Sequence, residues 1–208
     1  MTTLSDFLAD LASDSPAPGG GSVAALSGAL AAGLTSMVAN LTIGKPKYAE
    51  AEADMRSVLA RSEALRLELE QLIEEDKQAF DRVMVAMKLP KETAEQQAAR
   101  SAALQSALVD AASVPLEVMG KCVEVIALAR VAAEKGNRNA VSDAGVAALM
   151  ARAGTHAARL NVAINLPGIR SAEHSDFVAR ARGLARDLAA SADRGAADVL
   201  GIVEAKLG

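Results

Sequence analysis

Apolar residues along this chain recur at helical rather than strand spacing. Leu4, Phe7, Leu8 and Leu11 fall on one side of a 3.6-residue repeat, which predicts a short amphipathic helix with Thr3 as its N-cap. From Ser15 to Gly44 no ionisable side chain occurs. That run predicts a second helix from about Ser22 to Ile43, apolar all round and therefore surrounded by protein. Gly44-Lys45-Pro46-Lys47 breaks it, and a long third helix is expected from about Tyr48 to Lys88, stopped by Leu89-Pro90. A fourth is expected from Thr93 to about Lys135, kinked or interrupted at Pro115. Gly136-Asn137-Arg138-Asn139 reads as a turn, Val141 to about Leu160 or slightly beyond as a fifth helix, Pro167-Gly168 as a break, and Ala172 to Leu207 as a last amphipathic helix. No segment has the period-two alternation of a strand, and no internal repeat is found. The expected fold class is all-α, a multi-helical bundle of long antiparallel helices forming one domain over residues 1–208.

Composition refines this picture. Half of the 208 residues are hydrophobic (51%), but alanine supplies much of that and aromatic residues only 2%, so the core is expected to form by close helix approach. A net charge of −4 with interleaved signs gives no electrostatic footprint for nucleic acid. The single cysteine, Cys122, excludes an internal disulfide and fits a reducing cytoplasm. It sits on an apolar face with Val118, Met119, Val123 and Ile126 and reads as a core residue rather than a nucleophile. Met1-Thr2-Thr3-Leu4-Ser5-Asp6 has neither a basic n-region nor a secretory h-region, so a cytoplasmic location is expected. The uncharged run is long enough to span a bilayer. However, Ser22, Ser27, Thr35, Ser36, Asn40 and Thr42 are scattered through it and no aromatic belt flanks its start, so a central bundle helix explains it better than a membrane span.

Two places carry candidate chemistry. Pro16-Ala17-Pro18-Gly19-Gly20-Gly21-Ser22 leads straight into the uncharged helix. Its glycines let backbone N–H groups approach a ligand where a Cβ would collide, and the free N–H groups of a first helical turn point at whatever the loop holds. On the third helix the seam Met55, Val58, Leu59, Leu65, Leu69, Leu72, Ile73 continues to Phe80, Val83, Met84 and Met87 through Asp76. An inward carboxylate must be partnered, protonated or set in a wet pocket. Asp76 is therefore either a core group that caps a neighbouring helix or pairs with a lysine, Lys77 among them, or a site carboxylate. Asp143 sits in the first turn of the fifth helix, behind Asn139 or Ser142 as N-cap. There it favours the helix dipole whatever else it does. The functional alternative brings this turn beside Gly19–Gly21. Gly19-Gly20-Gly21-Ser22-Val23-Ala24 matches a dinucleotide fingerprint only formally, since no strand precedes it, and Gly44-Lys45-Pro46 is no phosphate-binding loop. His156 and His174 are isolated from other ligand types, so no metal site is expected.

In order along the chain stand Pro18-Gly19-Gly20-Gly21-Ser22-Val23-Ala24-Ala25, Met37-Val38-Ala39-Asn40-Leu41-Thr42, Gly44-Lys45 with Tyr48, and Asp76 with Ala79-Phe80. Leu89-Pro90-Lys91, Gly136-Asn137 with Ser142-Asp143, and Asn161-Val162 with Ile164-Asn165-Leu166 follow. With these segments the sequence resembles the cyclodeaminase/cyclohydrolase family over nearly its whole length. That family includes the C-terminal domain of formiminotransferase-cyclodeaminase and stand-alone bacterial methenyltetrahydrofolate cyclohydrolases. Arg138 and Lys77 add positive charge inside the matching motifs and depart from the pattern.

The resemblance implies an all-helical homodimer acting on tetrahydrofolate derivatives, with no metal and no cofactor beyond that substrate. Within it, Asp76 is the leading acid/base candidate and Asp143 the second. Lys45 is a candidate to orient the intermediate, donate a proton or bind a folate carboxylate. Ser22 and Asn40 would hydrogen-bond the pterin or the bridging carbon's neighbours, Gly19, Gly20 and Gly21 would give backbone contact, and Asn139 would contribute from its turn. Tyr48, the sole tyrosine, is expected either to stack on the ligand ring or simply to pack. A cyclohydrolase adds water to the amidinium carbon between two folate nitrogens, whereas a cyclodeaminase closes that ring with loss of ammonia. Both need an acid and a base around one carbon. A cyclodeaminase usually needs a formiminotransferase, for which 208 residues leave no room, so the cyclohydrolase is expected ahead of the cyclodeaminase. A folate-binding or helical scaffold protein is the non-catalytic alternative.

Overall fold

The computed structural model describes residues 3–208 as helices joined by short turns. They are α1 (Leu4–Leu11), α2 (Gly20–Asn40), α3 (Glu52–Met87), α4 (Ala94–Lys135), α5 (Val141–Asn165) and α6 (Ser175–Leu207), with 3-10 turns at Pro46–Ala51, Arg138–Ala140, Leu166–Gly168 and Ala172–His174. No strand occurs among the described residues.

Side-chain capping boxes set the starts of two helices. Thr3 and Asp6 form a reciprocal capping box at α1, and Thr93 with Gln96 forms another at α4. α2 begins two residues before the expected Ser22 and stops at Asn40, where Leu41–Gly44 turn the chain. Gly44 closes that turn at φ +77, a left-handed conformation that glycine adopts without strain, and its N–H donates to Glu52 Oε2 at 2.8 Å.

Contacts fix the directions. Ser36 meets Ser62 and Ser22 meets Asp76, so α2 and α3 are antiparallel. Arg61–Glu124 and Arg82–Asp110 make α3 and α4 a hairpin. Asn165 reaches Ala111, and Arg152 and His156 reach Asp193, so α5 runs against both α4 and α6. Ser27 Oγ donates to the Met150 carbonyl at 2.7 Å, so α5 is antiparallel to α2 as well.

α2 is long and apolar enough to cross a membrane, and most of it lies inside the bundle. Its small residues explain why: a Cβ on Gly154 would stand 2.9 Å from the Ala24 carbonyl oxygen, and one on Gly28 would stand 2.7 Å from Cys122 Sγ. α2 and α5 therefore touch backbone to backbone. The core is accordingly alanine and valine around Met119, Leu65 and Leu69.

The interruption expected at Pro115 is corrected, because α4 runs unbroken through it. Proline removes the N–H that would bond the Ala111 carbonyl one turn earlier. Asn165 Nδ2 supplies the missing donor at 2.9 Å.

Candidate active site

The glycine loop and the inward carboxylate meet. Gly19 is the N-cap of α2 and Gly20, Gly21 and Ser22 form its first turn. α3 passes this end at Asp76, whose Oδ2 accepts the Ser22 hydroxyl at 3.0 Å, and the Ser22 main-chain N–H lies on the same side and favours the charged carboxyl. Asp76 thus caps α2 as an N-terminal aspartate would, from a different helix. The capping reading of Asp76 is what the contact with Ser22 shows, and the same carboxyl also lines a cavity. Lys77 is not its partner and instead pairs with Glu74 at 2.9 Å.

Gly21 is required by this contact. A Cβ there would stand 2.5 Å from Asp76 Cγ and 2.7 Å from its Oδ2, positions no side chain can share. Burial pushes the Asp76 carboxyl above the ordinary aspartate value of 3.8, opposed in part by the Ser22 hydroxyl and main-chain N–H. A carboxyl poised in this way accepts and returns a proton more readily near neutrality than an exposed one does.

The cavity, about 320 Å³, is bounded by Pro16, Ala17 and Gly19–Gly21 on one side and by Asp76, Ala79, Phe80 and Val83 on another. Ala111, Asn161, Ile164 and Asn165 complete it. Asn161 and Asn165, one helical turn apart at the end of α5, belong to the family-like segments and carry no site role in the sequence reading. Asn161 Nδ2 donates to the Ala157 carbonyl, and Asn165 Nδ2 donates to those of Ala111 and Asn161. The amide of Asn161 stands 3.4 Å from where a Gly20 Cβ would be, which fixes the gap between α5 and the loop. Two asparagines one turn apart among the apolar residues Val162, Ala163 and Ile164 at the end of α5 are the available signal. Phe80 offers the cavity an aromatic face.

The remaining predicted residues gather elsewhere. α2 has 21 residues and so spans about 30 Å. Asn40, Lys45 and Tyr48 follow its far end. Because α5 is antiparallel to α2, Asn139 and Asp143 at its start belong to that far end too, and its last turn reaches the glycine loop. The expected closeness of the Asn139–Asp143 turn to Gly19–Gly21 is therefore corrected within a single chain.

At the far end Tyr48 Oη donates to Asn137 Oδ1 at 3.2 Å and accepts from the Arg138 N–H at 3.1 Å, so Tyr48 has a packing role there. Asn137, rather than the exposed Asn139, is the buried organiser: its Nδ2 donates to the Leu41 carbonyl and its N–H to Thr42 Oγ1, closing the end of α2. Arg138 donates to the Lys206 carbonyl near the end of α6, a structural use of that departure from the motif. Lys45 and Asn40 are exposed. Lys47, Tyr48, Asp54 and Lys135 line a second cavity, of about 390 Å³.

Comparison with known proteins bears on the family and the fold. The family model described as formiminotransferase-cyclodeaminase matches residues 3–182. A methenyltetrahydrofolate cyclohydrolase of Methylorubrum extorquens is 55% identical over 167 residues, covering 80% of this chain and 80% of that protein. A formimidoyltransferase-cyclodeaminase of Rattus norvegicus is 35% identical over 204 residues, 98% of this chain, which spans only 37% of that longer protein. The crystal structure of a formiminotetrahydrofolate cyclodeaminase from Thermotoga maritima matches with a TM-score of 0.87 at 32% identity, over 99% of this chain and 98% of that one.

Proposed function

The chain belongs to the formiminotransferase-cyclodeaminase family, and on that premise we propose that it is a methenyltetrahydrofolate cyclohydrolase, opening 5,10-methenyltetrahydrofolate to 10-formyltetrahydrofolate at the Asp76 cavity. The observation that carries the site is a raised carboxyl held by Ser22 at the mouth of a glycine turn, inside a cavity. The 55% identity to a named cyclohydrolase favours hydrolysis over the ammonia-releasing cyclisation.

The substrate's amidinium is cationic, so the carboxylate first attracts it. Asp76 then takes a proton from water as the oxygen bonds to the bridging carbon, giving a neutral carbinolamine and a protonated Asp76. Returning that proton to the departing nitrogen lets the C–N bond break. The carbinolamine hydroxyl loses its proton as the formyl carbonyl forms, so one proton is released overall. Ser22 holds the carboxyl in line, and Phe80 and Val83 offer an apolar wall to the flat heterocycle.

Pairing of two copies accounts for the split between the two ends. Leu30 and Met37 on α2, Leu41 just past its end, and Val146, Leu149, Leu160 and Ile164 on α5 are exposed by 39 to 76%. By helical periodicity both stripes border the α2–α5 seam on one side of the bundle. An apolar face of this extent supports a homodimer through it. An antiparallel two-fold pairing would lay the Asn40–Tyr48 end of one copy beside the Asp76 cavity of the other.

The test of the reaction is a parallel assay of methenyl absorbance loss from methenyltetrahydrofolate and ammonia release from formiminotetrahydrofolate. The cyclohydrolase reading expects the first without the second. Ammonia release that exceeds methenyl consumption would replace it with the cyclodeaminase.

A further inference from the structure

α1 is a helix without a home in its own chain. None of its residues is buried, Leu4 and Leu8 are 64% and 52% exposed, and the Thr3, Asp6 and Asp10 hydrogen bonds stay within the segment. Phe7 and Leu11 are half-buried against the chain's own surface, while Leu4 and Leu8 on the same side stay exposed. Eight residues are too few to hold a helix by themselves in water, and the Thr3–Asp6 capping box contributes only about 1 kcal/mol. Such a helix persists by docking.

We infer that α1 is an exchanged arm whose apolar side packs on a second copy of this chain, over the exposed Met37–Leu41 end of that copy's α2. The inference rests on the pairing proposed above. The chain leaving α1 becomes the wall of the Asp76 cavity: Pro16, Ala17 and Gly19 line it and Pro18 is buried, so the segment is pinned there. Only Ala12–Ser15 are free between helix and cavity, which gives Leu8 a reach of about 21 Å from Pro16. In its own chain Leu41 lies about 30 Å away, at the other end of α2. In an antiparallel partner the same Leu41 lies beside the arm's root, with Met37 one turn further along. Docking there matches two apolar surfaces that each chain alone leaves wet, and it ties the cavity loop of one copy to the body of the other.

Disulfide trapping tests this in the full-length protein. Cys122 is buried with its thiol pushed up to about 12, so it stays out of the reaction. Chains carrying Leu8→Cys and chains carrying Leu41→Cys are mixed and oxidised, with light scattering and methenyl turnover measured on the same samples. The expected result is a mixed disulfide between the two kinds of chain, together with a dimer dissociation constant at least tenfold weaker in Phe7→Ser/Leu8→Ser. A dimer that gives no mixed disulfide, while Leu8→Cys/Leu30→Cys closes within one chain, overturns the exchange and leaves the pairing intact. A monomer by light scattering removes the pairing and the arm together, and the turnover readout then shows whether the proposed reaction survives without them.

Discussion

Replacing Gly21 by alanine separates the chemistry of this site from its stability. The added Cβ would stand 2.5 Å from Asp76 Cγ and 2.7 Å from Oδ2, where contacts need more than 3.0 Å. The carboxyl must therefore retreat by roughly 1 Å, a displacement of the order that costs 10²-fold when a reacting group is misplaced. That retreat also lengthens the 3.0 Å bond from Ser22 Oγ. At about 1.4 kcal/mol per tenfold, the loss is about 2.7 kcal/mol of transition-state stabilisation. Folding behaves differently, because alanine is favoured over glycine inside a helix by about 1 kcal/mol, which offsets part of the strain. Gly21→Ala should thus lower kcat/KM for methenyltetrahydrofolate about 10²-fold, while its thermal midpoint by circular dichroism moves only a few degrees. Gly183→Ala is the control: nothing lies within 4 Å of its Cβ, so it should raise the midpoint and leave turnover unchanged. Activity within threefold of the parent in Gly21→Ala would refute the placement of Asp76 at the reacting carbon. So would activity lost only together with the fold.

Other consequences follow from the same contacts. Asn165→Leu leaves the Ala111 carbonyl without its 2.9 Å donor and should cost about 1–3 kcal/mol in denaturant unfolding; adding Pro115→Ala restores an N–H to that carbonyl and should recover much of the loss. Because burial raises the folded-state pKa of Asp76, this group favours folding fully below the ordinary aspartate value and loses that contribution as pH rises through the raised one. Asp76→Asn, which cannot ionise, should therefore melt higher than the parent at pH 7, with the difference vanishing as the pH falls towards 4. If two copies share each site, mixing inactive Asp76→Asn chains with inactive Lys45→Ala chains should restore roughly a quarter of parental turnover, since random pairing gives half heterodimers with one intact site each; no recovery would assign both residues to separate roles within one chain.

The helices were legible because their signals are local. Thr3, Thr93, Pro90 and the Gly136–Asn137 turn announce ends that backbone chemistry enforces wherever they occur. The encounter of Gly21 with Asp76 was legible only in part. A break in an apolar seam marks an inward carboxylate, yet nothing in the spacing says which helix end it will cap. The position of Asp143 and Asn139 went wrong for a related reason. Chemistry groups their motif with the glycine loop, whereas the antiparallel course of α2 and α5, fixed by Gly20 against Asn161 and Ser27 against Met150, sends the two to opposite ends of the bundle. Asn165 illustrates a third kind of failure. Its amide serves an orphan carbonyl created by Pro115 on another helix, and a pairing so distant in sequence leaves no periodic trace. Tyr48 and Asn137 likewise hold each other across a long stretch of chain.

The central claim, that Asp76 moves the proton in a hydrolytic opening of the methenyl bridge, is tested most directly by the rate of methenyl absorbance loss in parent and Asp76→Asn protein at saturating substrate. The account predicts rapid consumption by the parent and a fall of about 10²–10⁴ in the folded variant. Turnover within about threefold of the parent would contradict it.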